Sequence, residues 1–89
     1  MAKKKLVNYS YNQFLEDLNM GREIEFFYKG NKYYIGGNWG ETGTSMFWKV
    51  HDTESEIVGE TPEDLLRKVK FDGKSIKNIW YLIEIDIVF

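Results

Sequence analysis

The stretch FFYKGNKYYI, residues 26–35, decides how the chain folds, because it sets aromatic residues on both sides of a Gly-Asn pair. Gly30-Asn31, with glycine first, suits the two-residue loop of a type II′ hairpin. Such a loop puts Lys29 opposite Lys32, Tyr28 opposite Tyr33, Phe27 opposite Tyr34 and Phe26 opposite Ile35. Side chains alternate along a strand, so Ile24, Phe26, Tyr28, Tyr33 and Ile35 share one face. Glu23, Glu25, Phe27, Lys29, Lys32 and Tyr34 share the other. One face is apolar throughout and the other mostly charged, as a sheet with one buried side requires. Lys29 opposite Lys32 is mildly unfavourable. The apolar face is the expected core, and Phe27 and Tyr34 are expected on the side away from it.

Upstream of the hairpin, Ser10 with Gln13 three residues on has the spacing of a helix N-cap. Phe14, Leu15 and Leu18 then recur with helical period, and Gly21 sits where a C-terminal glycine stops a helix. A first helix is expected over residues 11–20. Residues 1–8 form a loose basic lead-in.

Downstream, the glycine-rich connection GGNWGETGT (36–44) leads into MFWKVH (46–51), a third strand with Met46, Trp48 and Val50 on one face and Phe47, Lys49 and His51 on the other. SEIVG (55–59) extends to a short fourth strand. Thr61-Pro62-Glu63-Asp64 starts a helix: threonine caps, proline fits the first helical position, and acids suit the N-terminal dipole. That helix is expected over 62–70, with a single helical turn at 75–79. The closing YLIEIDIVF (81–89) alternates as a strand inside the sheet. The order α-β-β-β-(β)-α-β predicts a single α+β domain over residues 1–89. Its architecture is two-layered, an antiparallel β-sheet of four to five strands with two helices packed on one face.

Eighty-nine residues suit one domain. With 43% hydrophobic and 29% charged residues the composition is that of a globular protein. The absence of cysteine excludes disulfides, thiolate catalysis and cysteine-ligated zinc, and fits a cytoplasmic setting. The start MAKKKLVNYSYN lacks the apolar core of a signal peptide, and no run approaches the ~18 apolar residues of a membrane span. A net charge of −2 argues against a dedicated nucleic-acid binder. Charge is locally polarised, however. An acidic block (Asp52, Glu54, Glu56, Glu60, Glu63, Asp64) precedes a basic one (Arg67, Lys68, Lys70, Lys74, Lys77).

Catalytic constellations are thin. DGKS (72–75) lacks the first glycine of a phosphate loop and reads as a turn. His51 is the only histidine; Asp52, Glu54 and Glu56 beside it could supply oxygens to a metal but read as a solvated loop, whereas a transition-metal site gathers three or more ligands held by fixed second shells. Glu84 and Asp86, about 6.6 Å apart along one strand face, read as the solvated side of a sheet, as do Glu23 and Glu25. No catalytic residue, metal or cofactor is expected.

Binding is better represented. If the first three strands are adjacent, Phe27, Tyr34 and Phe47 lie opposite the helices with Lys49 at their edge, as in a protein-recognition patch. Trp39, in the glycine-rich connection, is a further anchor candidate. The alternative is single-stranded nucleic-acid binding through Arg67, Lys68, Lys70, Lys74 and Lys77, with Lys3, Lys4 and Lys5 as an arm.

GREIEFFYKGNKYYI (21–35), TPEDLL (61–66) and FDGKSIKNIWYLIEIDIVF (71–89) together resemble small uncharacterised proteins of Gram-positive bacteria and their mobile elements. The resemblance implies a bacterial or phage-derived cytoplasmic protein and carries no activity or site residue with it. A non-enzymatic cytoplasmic binding module is therefore expected, acting through an unidentified protein partner or as a homodimer.

Overall fold

The structure, a computed structural model, describes residues 9–39 and 43–89, the side chains of residues 37–39 and 53 excepted. The basic lead-in over residues 1–8, with Lys3, Lys4 and Lys5, and residues 40–42 of the glycine-rich connection lie outside the described residues.

Helix α1 (Tyr11–Asn19) begins where the Ser10 hydroxyl accepts the Gln13 amide at 3.1 Å. It ends in a Schellman arrangement, with the Gly21 amide donating to Leu18 and the Arg22 amide to Asp17. Gly21 supplies the positive φ of 83° that this closure demands. The helix buries Phe14 and Leu18, and also Asp17. The Asp17 carboxylate is satisfied by the Tyr9 hydroxyl, by Gln13 Nε2 at 3.4 Å and by Arg22 Nε at 3.5 Å. Burial, together with the bond to Asp17, holds the Tyr9 phenol far above its ordinary pKa.

Five antiparallel strands follow: β1 (Glu23–Tyr28), β2 (Asn31–Trp39), β3 (Thr44–Lys49), β4 (Asp52–Gly59) and β5 (Glu84–Val88). Their order across the sheet is β4-β3-β2-β1-β5, a meander whose last strand returns beside the first. The first hairpin turns one residue earlier than expected. Lys29-Gly30 forms the loop, both at positive φ (49° and 80°) as a type I′ turn needs, and Tyr28 faces Asn31. Phe27 then pairs with Lys32 and Phe26 with Tyr33. Moving both strands by one residue keeps their parity, so each face keeps its expected residues. The earlier turn separates Lys29 from Lys32. Asp72 receives both the Tyr28 hydroxyl, at 3.1 Å, and Lys29 Nζ, at 3.2 Å. The Lys29 ammonium and that hydroxyl hold the Asp72 carboxyl below its usual range.

Helix α2 (Pro62–Lys68) starts as expected, with the Thr61 hydroxyl accepting the Asp64 amide at 3.0 Å, and stops two residues early. Both helices pack on one face of the sheet, α1 against β1 and β2, α2 against β3 and β4. The rings of the opening hairpin gather around a residue outside it, Phe71. Its ring lies 6.3 Å from Phe26, 4.8 Å from Tyr28, 4.9 Å from Tyr33 and 5.8 Å from Phe47. A second aromatic group closes the other end, where Trp80 meets Phe14 at 5.0 Å and Tyr11 at 5.5 Å. Aromatic pairs of this kind contribute about 0.5–1.5 kcal/mol beyond their burial.

Residues 71–74 are a tight turn, Asp72 and Gly73 both at positive φ while Phe71 and Lys74 exchange backbone bonds. The chain then forms a 3₁₀ segment (Lys77–Leu82) in place of the start of the final strand. Tyr81 and Leu82 are exposed on it, and β5 begins only at Glu84. This strand is an edge of the sheet, paired with β1 alone. A bulge near Asp86 resets its alternation: Ile85 and Val88 pack towards the core, while Glu84 and Ile87 sit opposite Phe27 and Glu25.

Candidate functional site

Among the described residues, helices cover one side of the sheet and none packs on the other. The open face carries Glu23, Glu25 and Phe27 of β1, Lys32, Tyr34 and Gly36 of β2, and Met46 and Trp48 of β3. Val58 and Glu56 of β4 and Glu84 and Asp86 of β5 flank them. At its centre, Tyr34 and Trp48 face each other across the strands and stack at 3.9 Å with 16° between their planes. Tyr34 is 6% exposed, and its hydroxyl donates to Glu23 Oε1 at 2.9 Å. It lies over Gly36, whose missing side chain makes the room: a Cβ there would meet the Tyr34 hydroxyl oxygen at 2.5 Å.

Lys32 organises the β1–β5 side. Its ammonium reaches Glu25 at 2.8 Å and Asp86 at 3.0 Å, and lies 5.7 Å from the centre of the half-buried Phe27 ring. The two candidate carboxylate pairs are thus engaged, Glu25 and Asp86 by Lys32 and Glu23 by Tyr34. Even so, acids dominate. Glu23, Glu25, Glu56, Glu84 and Asp86 are set against Lys32, the one cation the strands place there among the described residues.

Near the β3–β4 turn the same face dips into a recess of about 190 Å³, lined by Trp48, His51, Asp52 and Glu56. It forms because β4 is irregular. Phe47 pairs with Ile57 and Lys49 with Asp52, leaving four β4 residues against Trp48 alone. His51 completes the turn at a φ of 69°, and the Ser55 hydroxyl bridges the Lys49 amide, at 2.7 Å, to the Asp52 carbonyl, at 2.6 Å.

Compared with known proteins, the chain matches no family model, no curated protein and no solved structure. The functional reading rests on the geometry.

The site residues expected from sequence are only partly together. Phe27 and Tyr34 are on the open face as expected, one half-buried and the other buried. Phe47 is not. Opposite Ile35, it points into the core at 5% exposure, stacked 5.6 Å from Tyr33. Lys49 shares that side, half-buried opposite Tyr33. The register between β2 and β3 makes this correction, since it sets Trp48, not Phe47, beside Tyr34. Trp48 is the residue that sequence reasoning missed. The backbone of Trp39 pairs with Thr44 at the end of β2, and its side chain lies outside the described residues.

The basic segment is divided. Lys68 turns to Asp64 at 3.2 Å and to the Val58 carbonyl at 2.9 Å, while Lys74 sits in the 71–74 turn. Arg67, Lys70 and Lys77 line one groove of about 450 Å³ on the helix layer. Among the described residues no three His, Asp or Glu side chains gather as a metal site would need, and no helix is long and apolar enough to cross a membrane.

Proposed function

We propose that the protein is a small non-enzymatic binding module that works in the cytoplasm by holding a protein partner against the open face of its sheet. One observation carries this: a sheet face on which no helix packs among the described residues, where a Tyr34–Trp48 stack and Phe27 are ringed by carboxylates. Large rings at the centre of a polar rim are the usual anatomy of a protein contact. The stack is pre-formed, so little side-chain entropy is lost when a partner covers it. The carboxylates favour a partner whose contact surface is basic, with the recess at Trp48, Asp52 and Glu56 suited to a lysine or arginine tip.

Self-association through the same face is disfavoured, because a two-fold contact would set these acids against their own copies. Single-stranded nucleic-acid binding through residues 67–77 is the second possibility. The protein reading is favoured over it because the rings that would stack bases lie on the acidic face, away from Arg67, Lys70 and Lys77.

The test is affinity capture from the native cytoplasm, with and without nuclease, using the wild-type chain and the exposed-site variant Glu56→Lys/Glu84→Lys. Nuclease-resistant capture by the wild type that the variant loses, with circular dichroism unchanged, supports the proposal. Capture that nuclease abolishes, or that the variant retains, refutes it.

A further inference from the structure

The groove on the helix layer is a second surface, built from different elements and of opposite charge. We infer that it docks an acidic amphipathic segment of a protein partner. Its floor is apolar, formed by Tyr11 and Leu15 one turn apart on α1, Leu66 of α2, and Ile76. Its volume, about 450 Å³, falls within the range of ligand clefts. Its rim is cationic, with Arg67, Lys70 and Lys77 against Glu63. Arg67 gives one nitrogen to Asp64 at 3.1 Å, and a guanidinium has five N–H donors, so others remain for an incoming carboxylate.

An apolar floor with cations at its edge complements a helix that shows leucine-like anchors on one face and carboxylates beside them. It is a poorer match to nucleic acid. Tyr11 packs edge-on with Trp80 at 5.5 Å and tilted against Phe14 at 5.8 Å, and it is the one ring among the described lining residues, where stacking of successive bases needs several. Lys68 points instead to Val58 and Asp64, which leaves a patch of three cations rather than a continuous track for a phosphate backbone.

The proposal is tested by fluorescence polarisation with three labelled probes on the intact protein. One is an amphipathic peptide of about 14 residues, with leucines at i, i+3, i+4 and i+7 and glutamates elsewhere. The second has lysines for the glutamates, and the third is an oligothymidylate of similar charge. The glutamate peptide alone should bind saturably, and Lys70→Glu/Lys77→Glu should weaken it at least about tenfold by placing like charges at the rim. Both positions are exposed, so this variant is expected to stay folded, which circular dichroism checks. No saturable binding of the glutamate peptide, equal binding by the variant, or preferential binding of the oligothymidylate would overturn the proposal.

Discussion

Replacing Gly59 by alanine should loosen the seat of α2 and with it much of the domain's stability. Gly59 ends β4 opposite Ser45, where the first turn of α2 crosses the sheet. A Cβ at this position would stand 2.5 Å from the Leu65 backbone nitrogen, 2.6 Å from its Cα and 2.7 Å from its Cβ, where ordinary contact begins at 3.4 Å. Backbone cannot rotate aside as a side-chain tip can, so α2 must retreat by roughly 1 Å, the contact deficit. Leu65 is fully buried, and its retreat opens the core between α2 and β3. Overpacking of this kind costs about 1–3 kcal/mol, and a backbone obstacle points to the upper end. For a domain of this size, about 3 kcal/mol lowers Tm by roughly 12–24 °C. Thermal unfolding followed by far-UV circular dichroism measures it. A Gly59→Ala melt within about 2 °C of wild type would refute the close packing of α2 on β4.

Two further outcomes follow from the turns and their charges. Lys29 holds a left-handed conformation that asparagine tolerates better, so Lys29→Asn should raise the midpoint of urea unfolding despite losing its exposed contact with Asp72. Destabilisation would contradict the type I′ turn. Asp72 and Asp64 both have native carboxyl pKa values below the ordinary one, Asp72 chiefly through Lys29 and Asp64 chiefly through the Glu60 amide. Their contribution is therefore complete above about pH 4 and is lost as pH falls further through the lowered native values. Asp72→Asn should flatten part of this acid loss in a pH series of urea melts, and an unchanged slope would refute the assignment.

Much of the fold was legible because local chemistry agreed with it. Ser10, Gly21 and Thr61-Pro62 mark helix ends through bonds a few residues long, and the period-2 pattern of 23–35 fixes which side is buried. That pattern survives a misplaced turn, since moving the loop from Gly30-Asn31 to Lys29-Gly30 preserves parity. What favours the earlier loop is distant: Asp72 accepting from Tyr28 and Lys29, and Lys32 freed to meet Glu25 and Asp86. Of those partners only Glu25 lies in the hairpin; Asp72 and Asp86 are outside any window around it. Phe47 and Trp48 pose the same difficulty in the site. Both are large rings on adjacent positions, so alternation alone allows either to face the core. Pairing across the 36–44 connection decides it, by setting Phe47 opposite Ile35 and Trp48 opposite Tyr34. The final strand misled for another reason. YLIEIDIVF alternates without a break, yet Tyr81 and Leu82 are drawn into the 3₁₀ segment that carries Ile79 and Trp80 to the core, and the bulge at Asp86 reverses the last residues.

The central claim, that the open sheet face holds a protein partner, is tested most directly by photo-crosslinking. Benzoylphenylalanine in place of Phe27, on that face beside Lys32, is irradiated in an extract of the native cells. A nuclease-resistant adduct heavier than a dimer of the chain, lost when Glu56→Lys/Glu84→Lys is added, is the outcome the structure predicts. An adduct made only with nucleic acid or a second copy of the chain, or none at all, would contradict it.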